Sequence, residues 1–263
     1  MNSPIGILDS GLGGLSVFNE IQKLMPDESV IYFGDSAWCP YGARKADEIQ
    51  ERVFAVTDLL LEQGCKIIII ACNSATISAV EALRAAYPVP FVGMEPGIKP
   101  AAALTKSGTV GIFATEASLA GEKFHKLLST HGSGVRTITR PCPSFVDLVE
   151  EGILTGSEAQ KAVEKETLPL TNEGADVLVL GCTHYPFLRP LIQEAAGPDV
   201  HILDTGAAVA RQAQSLIENK ATINTEPEHQ IMTTGDLARL ESIFPTLCPE
   251  TDLDRVSFSH SSI

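Results

Sequence analysis

Positive charge is scarce in this sequence. Its 263 residues hold 19 lysines and arginines against 33 aspartates and glutamates, a formal net charge of −14. That balance repels a phosphate backbone and an anionic membrane surface alike, so neither nucleic acid nor membrane is expected as a partner. No apolar run approaches the ~18 residues of a membrane span, and no heptad repeat or low-complexity segment is present. Met1-Asn2-Ser3-Pro4 carries no basic segment ahead of the first apolar run near Ile5, so no targeting leader is expected. The expectation is a soluble cytoplasmic protein whose cysteines (Cys39, Cys65, Cys72, Cys142, Cys182 and Cys248) are reduced thiols. No two of them have the Cys-x-x-Cys spacing of a zinc or redox site, and no metal is expected.

What the sequence does have is short apolar runs at regular intervals. Runs at Ile5 to Leu8, Val30 to Phe33, Ile67 to Ala71 and Phe91 to Met94 read as strands. Helical patterns separate them, as at Ala46 to Glu62 with Ile49, Val53, Val56, Leu59 and Leu60 on one face. A second set follows at Val110 to Phe113, Val135 to Ile138, Val177 to Leu180 and His201 to Leu203. Its first two strands start 105 residues after their counterparts and its last two start 110 after, the mark of an internal duplication. Strands alternating with helices call for parallel pairing through right-handed crossovers. The expected fold class is therefore α/β, with two pseudo-symmetric doubly wound parallel-sheet domains, at 1–95 and 96–207. Gly93 to Pro100, rich in glycine and proline, suits the crossing segment and its hinge. The tail has no counterpart in the first half, and pattern alone does not place it. It reads as a helix near Ala207 to Glu218, a polar loop at 219–229, a strand at Gln230 to Thr233, a helix at Leu237 to Phe244 and a strand at Val256 to Phe258.

Two of these strands end alike. Lys66-Ile67-Ile68-Ile69-Ile70-Ala71-Cys72-Asn73-Ser74-Ala75 aligns without a gap on Asp176-Val177-Leu178-Val179-Leu180-Gly181-Cys182-Thr183-His184-Tyr185. Wholly apolar runs of this kind are strands buried on both faces, and open α/β sheets place ligands at the carboxyl ends of such strands. Each cysteine precedes an expected helix start, with Pro186 suited to a first turn. Amides at a helix N-terminus lower a thiol pKa from ~8.5 and can also bind a carboxylate. Cys72 and Cys182 are thus the candidates for chemistry, while Cys39, Cys65, Cys142 and Cys248 read as packing residues, the commoner fate of a free cysteine. His184, two residues from Cys182, is a candidate proton partner, and Asp9, at the end of a neighbouring strand, is one for Cys72. Asp9-Ser10-Gly11-Leu12-Gly13-Gly14 approaches a dinucleotide fingerprint, with Asp35 near the place of a ribose-binding acid. Ser16 replaces the third glycine, however, and the charge of Asp9 would face a pyrophosphate. A small-molecule pocket with Asp9 as a charged partner is favoured over a helix turn capped by Asp9 or Ser10. Glu150 by itself is ambiguous, since most glutamates are solvated.

In their order along the chain, Asp9-Ser10-Gly11-x-Gly13-Gly14, Pro40-Tyr41-Gly42, Cys72-Asn73-Ser74-Ala75, Glu95-Pro96, Gly181-Cys182-Thr183-His184-Tyr185-Pro186 and Thr234-Gly235-Asp236 resemble the glutamate racemase family. The resemblance implies cofactor-independent interconversion of L- and D-glutamate, with Cys72 and Cys182 as acid/base residues. Asp9, Ser10, Tyr41, Gly42, Asn73, Ser74, Thr183 and His184 would contact substrate or assist the thiols, and Glu150 matches a family glutamate near the second cysteine. It further implies a tail, 208–263, returning to the first domain, a homodimer, and D-glutamate supply for peptidoglycan. Taking a proton from one face of a carbon and returning one to the other requires a group on each side, which places the expected active site between the two domains. Ser74 stands where threonine is usual, Trp38-Cys39 replaces the commoner residues before Pro40, and Ser118, Gly121 and Phe124 depart from a threonine, a serine and a tyrosine. The rivals are a two-lobed binding protein, which has no use for paired thiols, and an aspartate or hydantoin racemase.

Overall fold

The computed structural model describes residues 3–132, 134–217 and 226–263. Most of the expected polar loop at 219–229 therefore lies outside the described residues. The chain divides into two compact units, Met1–Met94 with Gly206–Ile263, and Glu95–Thr205.

The first unit begins β1 (Ile5–Asp9), α1 (Leu15–Leu24), β2 (Val30–Gly34), α2 (Ala46–Glu62), β3 (Ile67–Ile70), α3 (Asn73–Ala86) and β4 (Phe91–Gly93). The second contains α4 (Ile98–Leu104), β5 (Thr109–Ala114), α5 (Glu116–Ala120), α6 (Glu122–His131), β6 (Arg136–Pro141), α7 (Pro143–Glu150), α8 (Gly156–Asn172), β7 (Val177–Gly181), α9 (Arg189–Ala196) and β8 (His201–Leu203). The tail adds α10 (Gly206–Ile217), β9 (His229–Thr233), α11 (Leu237–Leu247) and β10 (Val256–His260) to the first unit. Among the described residues all strand pairing is parallel. The first sheet has the order β10-β9-β2-β1-β3-β4 and the second β6-β5-β7-β8. Without the tail strands, both sheets run second, first, third, fourth.

In the first unit every residue of β1, β2 and β3 is buried. Leu8, Ile31, Phe33, Ile68 and Ile70 pack on Val53, Val56 and Leu60 of α2 and on Ala75, Ala79 and Leu83 of α3. Their alternates, such as Ile5, Ile7, Ile67 and Ile69, face the other side of the pleat, which α1 and α10 cover. Each fully buried isoleucine contributes roughly 1.5–3 kcal/mol of burial, so the sheet is held rigidly enough to present its ends. In the second unit Val110, Ile112, Val177 and Val179 pack on Ile98 and Ala101 of α4 and Phe124 of α6.

The duplication reaches the helix ends. After α2, Cys65 N–H donates to Leu60 O at 3.2 Å; after α8, Ala175 N–H donates to Leu170 O at 3.1 Å. The glycine between helix and strand has positive φ in both cases, 79° at Gly64 and 91° at Gly174, a conformation that a Cβ would strain.

Candidate active site

In the first unit β1 and β3 are neighbours, so the residues after Leu8 and Ile70 emerge together at the carboxyl edge. Cys72 is the N-cap of α3. Its Sγ accepts the Ala75 N–H at 3.5 Å, and its thiol is directed at Ser10 Oγ, 3.8 Å away. Asp9 is buried, and its Oδ2 accepts the Gly11 N–H at 3.0 Å. This corrects the capping alternative: α1 starts from Gly14, with no side chain capping it. A Cβ on Gly14 would stand 2.6 Å from the Asp9 Cβ and 3.1 Å from that of Ala71, so glycine is what lets α1 begin against the strand ends. Asn73 and Ser74 form the buried first turn of α3, and Asn73 Oδ1 has no hydrogen-bond partner.

Tyr41 and Gly42 lie in a short 3-10 turn, Tyr41–Ala43. The Tyr41 hydroxyl donates to Asp35 Oδ2 at 2.6 Å, and burial, followed by the charge of Asp35, pushes the phenol well up. Asp35 is itself fully buried and is also held by Arg52 Nε (2.6 Å) and Nη2 (2.8 Å) and by Thr234 Oγ1 (2.7 Å). Tyr41 therefore anchors its turn through the ring and hydroxyl, leaving the backbone of Tyr41-Gly42 as what the turn can offer a ligand. The ribose-acid position of Asp35 is accordingly occupied by protein donors. No local pattern in the sequence marks Asp35, Arg52 and Thr234 for this role. Thr234 belongs to a quoted motif, whereas Arg52 sits unmarked among the polar residues of α2.

The second unit presents a different arrangement at the equivalent strand end. Cys182 follows β7, but no α-helix starts there; a 3-10 turn, Tyr185–Leu188, comes before α9. The helix start expected after Cys182 is therefore present with Pro186 in its first turn, but it is 3-10 rather than α. Pro190 lacks the amide that an α-helix begun at Tyr185 would need to bond back to the carbonyl of Pro186. Cys182 has a side-chain partner instead. His184 Nδ1 lies 3.7 Å from its Sγ, and His184 Nε2 lies 2.7 Å from Glu150 Oε1 at the end of α7. Glu150, ambiguous in sequence, is thereby joined to His184 and Cys182, and Thr183, which stands between Cys182 and His184 in sequence, is buried. A thiol beside an imidazole whose far nitrogen meets a carboxylate can accept or deliver a proton.

Three other cysteines have surroundings that keep them protonated. Burial pushes the Cys65 thiol up to about 12 and pushes Cys248 and Cys142 up as well, the last with help from Glu166. Cys39 is half-buried in the loop before Pro40. Of the positions that depart from the family pattern, Phe124 fills the core of the second unit, and Ser118 is buried with its N–H on Thr115 Oγ1 at 3.1 Å.

The model of one protein family, Asp/Glu/Hydantoin racemase, matches residues 5–213. The chain belongs to that racemase family. Membership makes it an isomerase. A glutamate racemase of Herpetosiphon aurantiacus is 46% identical over 92% of this chain and 96% of its own length. Among solved structures, an Escherichia coli glutamate racemase in complex with L-glutamate and the activator UDP-MurNAc-Ala superposes with a TM-score of 0.88. It is 29% identical, and the match covers 99% of this chain and 98% of that one. A Francisella tularensis glutamate racemase in complex with D-glutamate has a TM-score of 0.83 and 27% identity, with 100% and 98% covered. The racemase family thus spans both units, and among the described residues no helix is long and apolar enough to cross a membrane.

Proposed function

We propose that this enzyme interconverts L- and D-glutamate without a cofactor, using Cys72 and Cys182 as its two proton-transfer groups. The observation that carries the reading is the pair of equivalent strand ends, each bearing a cysteine with its own polar attendants. Both enantiomers of glutamate occur in the complexes of similar racemases. One sulfur, as thiolate, takes the α-proton from one face, and the electron pair left on carbon delocalises into the α-carboxylate. The other sulfur, as thiol, gives its proton to the opposite face. The reaction requires the two half-sites to meet on one substrate, with the domains 1–95 plus 208–263 on one side and 96–207 on the other.

Asp9 and Ser10 serve Cys72, and His184 with Glu150 serves Cys182. The N–H groups at the start of α3, with Ser74 and Thr183, hold carboxylate oxygens and stabilise the charge that develops beside the α-carbon. Asn73 Oδ1 accepts from the substrate ammonium, and the Tyr41-Gly42 backbone closes on the substrate. The product D-glutamate supplies peptidoglycan synthesis in the cytoplasm, and the working form is a homodimer.

Labelling in heavy water tests the mechanism. Starting from L-glutamate, the D-product at low conversion carries deuterium delivered by the second thiol. The remaining L-substrate carries little, because the proton that was removed stays on the first sulfur. The same asymmetry holds from D-glutamate. Comparable label in substrate and product, with sulfur exchange slower than turnover, overturns the two-thiol mechanism; loss of no optical activity at all overturns the glutamate reading.

A further inference from the structure

Tyr185 follows the Cys182-Thr183-His184 segment and turns away from it into the core of the second unit, where it is fully buried. Its backbone N–H closes the turn on Cys182 O at 3.2 Å. Its ring meets Phe145 edge-on at 5.3 Å between centroids and Phe113 at 6.5 Å. Phe145 belongs to α7. The Tyr185 hydroxyl lies 3.2 Å from Cys142 O, the N-cap of α7, and 3.5 Å from Ala114 O at the end of β5. Burial, with the nearby thiols Cys182 and Cys142 adding to it, keeps this phenol protonated and hence a permanent donor. The other end of α7 carries Glu150, whose carboxylate meets His184. Two consecutive residues, His184 and Tyr185, therefore grip the two ends of one short helix.

We infer that Tyr185 is a positioning residue for the proton relay at Cys182: its hydroxyl and ring index α7 against the 182–185 turn so that Glu150 meets His184. The inference rests on the proposed role of Cys182, His184 and Glu150. Its physical basis is that α7 has eight residues and turns as a rigid rod. A bond at Cys142 O and packing at Phe145 fix where its last carboxylate points, whereas Glu150 alone, half-buried, has rotamers to spare. A displacement of about 1 Å in a proton relay can cost on the order of a hundredfold in rate. A tyrosine hydroxyl whose partners are two backbone carbonyls is otherwise replaceable by phenylalanine at little cost to the fold.

The test is Tyr185→Phe in the full chain, alone and combined with Glu150→Gln. Tyr185→Phe is expected to lower kcat roughly ten- to a hundredfold, with KM changed less than about twofold, while the folded chain and its cooperative melting are retained. In the Glu150→Gln background the same change is expected to cost nothing further, since the carboxylate it positions is gone. Additive losses, or a rise in KM with kcat preserved, overturn the inference. A second readout needs no turnover: in a Cys72→Ser variant, the pH–rate profile of Cys182 alkylation by iodoacetamide is expected to shift in the same direction with Tyr185→Phe as with Glu150→Gln. A variant that melts earlier yet leaves that profile in place shows a merely structural tyrosine. If the parent chain fails to racemise glutamate, the proposed function falls, and the alkylation profiles still decide the clamp.

Discussion

The two halves share a scaffold and differ at the thiol. Strand order, the Gly64 and Gly174 turns and the helix-ending hydrogen bonds repeat. Yet Cys72 caps a fourteen-residue helix and faces a serine, while Cys182 faces a histidine backed by a glutamate and has no α-helix of its own. At the position of His184 the first half has Ser74, and at that of Tyr185 it has Ala75. In the proposed reaction, mirror-image substrates demand a proton-transfer group at each of two equivalent places, but not the same chemistry there. A duplicated fold supplies the places, and each sulfur then has different neighbours: the Ala75 amide and the Ser10 hydroxyl in one half, His184 backed by Glu150 in the other.

The largest expected effects test whether both sulfurs are obligatory. Cys72→Ala and Cys182→Ala should each abolish racemisation, a loss of a thousandfold or more by polarimetry, because each removes one of two required groups. Stability should fall by only about 1–3 kcal/mol, as for other small buried side chains. Near-normal turnover in either variant makes that cysteine structural and ends the equivalence of the halves.

Next come the attendants. Asp9→Asn should impair the proton transfers of Cys72 more than those of Cys182, and His184→Asn the reverse, with Glu150→Gln a weaker copy of His184→Asn. Losses on the order of 10²–10⁴-fold are typical of acid–base partners. The overall equilibrium between enantiomers stays at one, so the distinction lies in primary isotope effects measured in each direction. Equal changes for Asp9 and His184 variants would abolish the division of labour.

These attendants mark the limit of what sequence carries. Apolar runs without alternation located the central strands to within a residue or two, and the alignment of Ile67 to Ser74 with Val177 to His184 isolated the two thiols. Strand β6 extends to Pro141, beyond the Ile138 expected, because at the sheet edge Arg136-Thr137-Ile138-Thr139-Arg140 is polar on both faces apart from Ile138 and gives a weak apolar signal. Pairings formed only in three dimensions left no local trace. Glu150 meets His184 across 34 positions, and Thr234 meets Asp35 across 199. The tail strand β9 pairs with β2, a neighbour that no pattern within 208–263 specifies.

The halves should also differ in acid sensitivity, with smaller consequences. In the first, burial and then Arg255 hold His229 down to about 4 from 6.5. The unfolded chain takes up this proton first, so the stability contribution is whole above pH 6.5 and is lost progressively as pH falls toward 4, a span worth roughly 3 kcal/mol. In the second, burial of Asp176 is outweighed by hydrogen bonds from Thr105 and from the Ser107 and Lys106 amides, which bring it to about 2 from 3.8. Its contribution is present above pH 3.8 and lost only as pH falls toward 2; solvent screening leaves it on the order of 1 kcal/mol. Denaturant titrations across pH 7 to 2 should show His229→Gln flattening the upper part of the slope and Asp176→Asn the lower. A slope between pH 6.5 and 4 that survives His229→Gln assigns it elsewhere.

The finest comparison uses a pair the duplication has kept although neither member is satisfied. Thr57 in α2 and Thr167 in α8 occupy equivalent places 110 residues apart, both are fully buried, and both Oγ1 atoms lack a hydrogen-bond partner. A buried hydroxyl without a partner costs about 1–3 kcal/mol in desolvation, and an apolar group of the same shape removes that cost. Valine has nearly the same volume and nearly the same helix propensity as threonine. Thr57→Val and Thr167→Val should therefore each stabilise the protein, by about 0.5–1 kcal/mol in urea titrations with an unchanged m-value, and the double variant should gain the sum because the sites share no partner. A gain at one site and a loss at the other would show that one hydroxyl finds a partner in solution, breaking the equivalence of α2 and α8 at the level of single atoms.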